Sequence, residues 1–244
     1  MATIKKGDFI ELDYTGTVDG GKVFDTTIAA VAAKEKLNAR AGFKPVIICV
    51  GEGHLLPGID VHLEGKALPG KHTIELKTEA AFGKKDAKLL KLIPLKKFHD
   101  SKIEPFIGLD LNIDGNYGIV RSISGGRVTV DFNHPLAGKD VTYELDVKRL
   151  VEKADEKVSA LFEMIGLHHH GIALEGNDHL VIKIHSQLPP PVMETINGIV
   201  TRLVPAIKNV TYHVDAAGHD HGEHGHDGHE GHEHVHEAPK PKKK

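Results

Sequence analysis

The sequence predicts an α+β chain: an antiparallel sheet around one short helix, then a small all-β unit, then a unit of alternating helices and strands. Three observations lead there. In VIICVGEGHLLPGIDVHLEG (46–65), an apolar strand-like run from Val46 to Val50 meets Gly51 and Gly53. Leu55, Leu56, Ile59 and Leu63 then recur at helical spacing, with Pro57 near the start, where a missing amide hydrogen is tolerated. Between Leu109 and Phe132, short alternating runs are separated by Asp114-Gly115-Asn116 and Gly125-Gly126. Beyond residue 152, helical and strand periods alternate.

Taken in order, Ile4, Phe9, Leu12, Tyr14 and Val18 alternate loosely. Asp19-Gly20-Gly21 is a hairpin signal that pairs Phe9–Thr17 with a strand around Lys22–Asp25. Thr26–Arg40 is rich in Ala, Lys and Glu and predicts a helix stopped at Gly42. The 55–63 helix follows as a core plug, a pattern that by itself reads as packing and carries no catalytic message. Lys71–Leu76 is the next strand, and Glu79–Lys85 a turn region beside it. After LLKLIPLKKF come strands at Leu109–Ile113, Gly118–Ile123 and Val128–Phe132, forming a unit of about 45 residues whose core is thin enough to need a host domain. Asn133 to Lys139 closes that unit, and Val141–Leu150 alternates again.

Residues 153–167 predict an amphipathic helix with Val158, Leu161, Phe162 and Ile165 on one stripe. A strand (His179–His185), a helix (Val192–Leu203) and a strand (Ile207–Val214) follow. The segment 153–214 therefore reads as a separate small domain. The last stretch, 215–244, is almost wholly His, Gly, Asp, Glu, Pro and Lys, and is expected to stay disordered, since ordering it would bury no apolar area in return.

Composition narrows the function. The 244 residues suffice for two or three modest domains, and a formal charge of −3 gives no electrostatic case for nucleic acid. No window approaches the roughly 18 apolar residues of a membrane span. Met1 leads into charged residues rather than a hydrophobic leader, so a cytoplasmic location is expected. The single Cys49 excludes an internal disulfide framework and lies in the apolar run VIICV, as a buried small hydrophobe rather than a reactive thiol.

Tyr14-Thr15-Gly16, Phe24-Asp25, Leu55-Leu56-Pro57-Gly58-Ile59, Ala81-Phe82-Gly83 and the run NHPLAGK together resemble the FKBP-type peptidyl-prolyl isomerases. The long insertion before NHPLAGK makes the chain similar to the SlyD-like branch, and the added C-terminal segment resembles its long archaeal members. The resemblance covers about residues 3–150. It implies an FKBP-like twisted antiparallel β-sheet wrapped around a short helix, made of residues 1–85 and 135–152. It further implies an insert-in-flap β domain at 86–134, with the C-terminal α+β domain at 153–214 and the His-rich tail at 215–244.

The activity implied is cis/trans isomerisation of X-Pro bonds, with no cofactor and no covalent intermediate. The site residues implied are Tyr14, Phe24, Asp25, Leu56, Ile59, Phe82 and Tyr143, with Val46 and Leu55 also contacting substrate. Phe24, Val46, Ile59 and Tyr143 would line the proline pocket, Leu56 would offer its backbone N–H, and Tyr14 with Asp25 would form a polar edge. Two departures stand out: Ile59 replaces a Trp common in the family, and Phe82 replaces a frequent Tyr, losing a hydroxyl donor. Both keep the pocket apolar, implying retained activity with lower or altered turnover on short peptides. The partners implied are unfolded or Pro-containing polypeptides, held by the insert, and the ribosome or metalloenzyme maturation factors; nucleic acid and membrane are not expected.

His219, His221, His224, His226, His229, His232, His234 and His236 interleave with acids and glycines, so several sets of four imidazoles can gather around Ni²⁺ or Zn²⁺ without a fixed fold. Divalent metal is therefore an expected partner of the tail. His168-His169-His170 reads as a solvated turn at a helix end rather than a second site, since consecutive side chains there point different ways. Two other functions stay open: a nickel or zinc storage or delivery protein with a weak isomerase domain, and a non-catalytic chaperone module.

Overall fold

The computed structural model describes residues 2–18, 20–37, 42–113 and 115–214. The tail, with its eight histidines, lies outside these residues. Strand β1 (Ala2–Thr3) precedes a long β2 (Phe9–Val18), whose alternation is real: Phe9, Ile10, Leu12 and Val18 are buried. A turn through Gly20 and Gly21, both at positive φ, returns the chain as β3 (Lys22–Thr26).

The next helix, α1, spans only Ala29–Glu35, not the Thr26–Arg40 that propensity suggests. Thr26 stays in the sheet because its hydroxyl donates to the Tyr14 carbonyl at 2.9 Å. Lys36 adopts a left-handed conformation at φ 56°, and the Leu37 amide folds back to Ala32 O, ending the helix before Gly42. Residues 38–41, the rest of that expected helix, lie outside the described residues.

Strand β4 (Val46–Cys49) leads to α2 (Pro57–Leu63), which buries Ile59 and Leu63 completely. Gly58 is what lets α2 lie this close. A Cβ there would meet Leu76 Cδ2 at 2.7 Å and the Ala80 carbonyl at 2.8 Å. Strand β5 (Ala67–Leu68) pairs with β1, and β6 (Gly70–Leu76) completes the outgoing half of the sheet.

The chain then leaves this sheet. Strand β7 (Leu90–Pro94), α3 (Leu95–Asp100), β8 (Asp110–Ile113), β9 (Asn116–Ser124) and β10 (Arg127–Asp131) form their own sheet, ordered β7-β10-β9-β8. Its core is Phe98, Leu111, Val120, Val128 and Val130. Neither β7 nor α3 was legible in LLKLIPLKKF, where the apolar residues fit both periods and Pro94 divides the elements.

Strand β11 (Val141–Val151) brings the chain home between β2 and β6, antiparallel to both, giving the order β3-β2-β11-β6, with β4 also paired to β2. One face of this sheet closes over α2. On the other side, Phe9, Cys49 and Val151 enter a second core with α4 (Ala154–Met164) and the elements after it.

Those elements are β12 (His169–Glu175), β13 (His179–Ile184), α5 (Pro190–Leu203) and β14 (Asn209–Val214), with sheet order β12-β13-β14. β12 runs antiparallel to β13, and β14 runs parallel to it after the α5 crossover. The segment after residue 152 thus shares its core with the first sheet. Ile165 lies past the end of α4 and is exposed, so it leaves the predicted stripe. The three consecutive histidines are also not a solvated turn. His169 and His170 belong to β12, and the His169 ring meets Phe162 edge-on with Nε2 3.1 Å from Ser159 Oγ.

Candidate functional site

The residues singled out by sequence converge on the α2 face of the first sheet. Ile59, fully buried, and Tyr143, 4% exposed, belong to the core there, and half-buried Tyr14, Phe24, Val46, Leu55, Leu56 and Phe82 pack against it. Tyr14 and Phe24 come from the β2–β3 hairpin, Tyr143 from β11, and Leu55 and Leu56 from the entry to α2. The rings meet at angles: Phe24 lies 5.7 Å from both Phe82 and Tyr143, edge-on to each, and Tyr14 is 5.8 Å from Tyr143. These are favourable quadrupole arrangements that stand rings as walls rather than stacking them into a filled core.

Gly16 makes the arrangement possible. A Cβ at that position would lie 2.7 Å from Phe24 Cζ and 3.1 Å from Tyr143 Cε1. The tyrosine-threonine-glycine run therefore places one phenol and clears space for two further rings.

One polar pair sits at the edge. The Tyr14 hydroxyl donates to Asp25 Oδ2 at 2.8 Å, and Asp25 is exposed. Burial, then the Asp25 charge and its hydrogen bond, push the Tyr14 phenol well above its ordinary value. Burial, followed by the Asp25 charge, does the same to Tyr143. Both phenols stay protonated at neutral pH and act as neutral donors. Leu56 has extended backbone as the N-cap of α2, and among the described residues no acceptor engages its amide N–H, while its carbonyl accepts from Ile59 N at 2.8 Å.

Two features escaped the sequence reading. His134, within NHPLAGK, stacks on Phe82 at 4.6 Å with planes 5° apart, so the far wall of the pocket is backed by a residue from the return connection. Beside it, Asp131 and Asn133 are buried and clamp the two chain crossings between the sheets. Asn133 accepts from the Asp86 amide at 2.7 Å and donates to the Asp86 carbonyl at 3.0 Å and to Asp131 Oδ1 at 2.8 Å. Asp131 Oδ2 also meets Lys85 Nζ at 3.3 Å and Arg121 Nε at 3.1 Å. Burial of this carboxyl works against ionisation, but hydrogen bonds from Asn133, Lys85 and Arg121 outweigh it and hold Asp131 at about 2. The NHPLAGK run was the signal for both features, but which partners its side chains would find depended on the fold.

A polar cavity of about 560 Å³ lined by Thr17, Lys77, Asp140 and Thr142 lies apart from these rings and includes none of the expected site residues. Among the described residues, no group of three or more His, Cys, Asp or Glu side chains is arranged to hold a metal ion. No described helix is long and apolar enough to cross a membrane.

Comparison with known proteins places this geometry. A family model described as FKBP-type peptidyl-prolyl cis-trans isomerase matches residues 1–98, and one described as FKBP26, IF domain, matches residues 91–136. A short-type peptidyl-prolyl cis-trans isomerase of Methanocaldococcus jannaschii is 34% identical over 146 residues, covering 59% of this chain and 92% of the relative. An FKBP-type 16 kDa peptidyl-prolyl cis-trans isomerase of Escherichia coli is 36% identical over 150 residues, with the same two coverages. The isomerase SlyD of Aeromonas hydrophila is 27% identical over 172 residues, 70% of this chain and 72% of that protein.

Proposed function

This chain belongs to the FKBP-type peptidyl-prolyl cis-trans isomerases, and from that premise we propose that it isomerises X-Pro bonds of unfolded or partly folded polypeptides at the ring of aromatic side chains around Ile59. The observation that carries this reading is the convergence of four aromatic rings on one buried aliphatic floor, with a single polar pair at the rim.

Rotation about a peptide bond faces a barrier of about 18–20 kcal/mol because resonance gives the C–N bond double-bond character. Twisting breaks that resonance and lowers the charge separation of the amide. A dry apolar pocket therefore favours the twisted form over the planar one, so binding energy is realised in the transition state. The prolyl ring enters between Phe24, Val46, Ile59 and Tyr143. The Leu56 amide, free of an internal partner, donates to a substrate carbonyl, and Leu55 supports the approaching chain. Tyr14 orients the Asp25 carboxylate toward the rotating amide. This chemistry needs neither a cofactor nor a covalent intermediate. Phe82 supplies a wall without a hydroxyl, which leaves one fewer hydrogen bond for short peptides.

The four-stranded unit extends this function as a client-holding surface. It carries Leu92, Phe106 and Ile107 at 63%, 60% and 70% exposure, apolar side chains that its own small core does not cover. A client held there presents its prolines to the pocket at raised local concentration. The histidines at 219–236 are proposed to bind Ni²⁺ or Zn²⁺, on the donor chemistry of interleaved imidazoles.

The test of the pocket is Asp25→Ala, read by NMR exchange of a Pro-containing tetrapeptide. Exchange catalysis is expected to fall about tenfold while the amide spectrum stays folded, since the side chain is exposed and bonded only to Tyr14. Wild-type exchange rates in this variant remove Asp25 from the mechanism.

A further inference from the structure

Strands β12 and β13 pair with one irregularity. His169 stands opposite Ile184 and Gly171 opposite Lys183, which leaves His170 as the extra, unpaired residue of a β-bulge. Bulges re-aim a side chain out of the regular alternation. Here the His170 ring meets that of His185, just past the end of β13, with centroids 3.4 Å apart and planes at 76°. Both residues are exposed. Neither ring has a hydrogen-bond or ion-pair partner among the described residues.

This approach is closer than aromatic packing requires, since ring pairs favour centroid separations of about 4.5–7 Å. Two exposed imidazoles with no partner gain little from such crowding and repel once protonated. A soft divalent cation reverses that balance, because each ring offers a lone pair. Zinc–nitrogen bonds of about 2.0–2.1 Å place two ligand nitrogens of one tetrahedral ion about 3.3 Å apart, within reach of small rotations of these exposed rings. No third His, Cys, Asp or Glu joins them among the described residues, so further ligands come from outside this pair.

The chain itself supplies a source. In the parallel pairing of β13 with β14, Val214 stands beside Ile184, the residue before His185. His219, the first of the eight tail histidines, follows Val214 by five residues, a covalent reach of about 17 Å at full extension. Ligands tethered this close act at high effective concentration.

We propose that His170 and His185 form a two-imidazole site for a divalent transition metal on the face of the C-terminal sheet, completed by water or by histidines of the adjoining tail. The pair is read from the fold alone. Only the completing ligands rest on the tail reading above.

The experiment uses the full-length chain in three forms: unaltered, with all eight tail histidines replaced by Asn, and with that replacement plus His170→Ala and His185→Ala. Substoichiometric Cu²⁺ serves as a paramagnetic probe in NMR, and Zn²⁺ is titrated by calorimetry. In the tail-replaced chain, Cu²⁺ is expected to broaden amides near 169–172 and 183–186 first, and about one Zn²⁺ is expected to remain bound. Adding the two alanines should remove that broadening and weaken zinc binding at least tenfold. Both substitutions are at exposed positions, and the dispersion of the same spectra reports that the sheet is intact. Broadening elsewhere, or zinc binding unchanged by the two alanines, overturns the pair. Full wild-type zinc stoichiometry in the tail-replaced chain overturns the tail reading instead and leaves the pair standing.

Discussion

The first sheet and the four-stranded sheet that interrupts it are both antiparallel, and they use apolar side chains in opposite ways. The first wraps fifteen buried hydrophobic residues around α2 and exposes its aromatic rings only along one rim. The second buries five and leaves Leu92, Phe106 and Ile107 facing water. Size explains part of this difference, because a unit of about 45 residues has too little interior to enclose its apolar content. What the contrast teaches is a division of labour. A rigid pocket with fixed ring geometry suits one small rotating bond, whereas an open apolar surface suits chains of no fixed shape. The Asp131–Asn133 clamp joins the two at a defined place, beside the His134 ring that backs Phe82.

The strongest way to break this comparison is to remove one side of it. Replacing residues 86–134 by a short Gly-containing loop should leave tetrapeptide isomerisation within about threefold. Catalysis of a proline-limited refolding reaction should fall tenfold or more, because only a long chain engages both regions. A proportional loss in both assays would mean that the second sheet shapes the pocket itself. A milder version changes only the surface. Phe106→Ser with Ile107→Ser should lower refolding catalysis about fivefold, the scale of a kcal/mol of lost apolar contact with the client. Thermal stability should barely move, since neither side chain is in the core; a large drop in melting temperature would mean that they support the fold instead.

The clamp sharpens the comparison from the junction. Asp131 is held at about 2, below its ordinary 3.8. A carboxyl depressed on folding adds stability above its unfolded value and loses that stability as pH falls through the folded one. The junction should therefore loosen between about pH 4 and pH 2, seen as faster amide exchange at Asp86 and Asn133. Asp131→Asn should cost on the order of 1 kcal/mol at neutral pH, the scale of weakened charge-assisted hydrogen bonds, and should flatten that pH dependence. An unchanged pH profile in this variant would assign the loosening to another group. The smallest effect is expected inside the pocket: Phe82→Tyr restores a hydroxyl donor and should raise tetrapeptide turnover or tighten peptide binding about twofold. No change in either would mean that the substrate carbonyl does not approach this ring.

Much of the pocket was legible in the sequence because its parts are local. Tyr14-Thr15-Gly16 and Phe24-Asp25 lie on the two arms of one hairpin, and Leu55 to Ile59 lie on one short helix, so spacing alone brings each group to a common side. The α1 boundary was misread because helix propensity could not weigh the Thr26 hydroxyl bond that holds the strand. The strand at Leu90–Pro94 and the helix after it were missed because a short apolar run fits both periods.

By itself the sequence determined the hairpin, the α2 plug, the turn-punctuated second sheet and the family resemblance, since each rests on residues near one another in the chain. Only the tertiary structure decided that Phe9, Cys49 and Val151 would serve the C-terminal core, because a strand buried on both faces shows the same apolar letters whichever layer covers it. It alone set the stack of His134 on Phe82 and the meeting of His170 with His185. Such contacts depend on register and on a single extra residue in a strand, and neither leaves a periodic trace in the sequence.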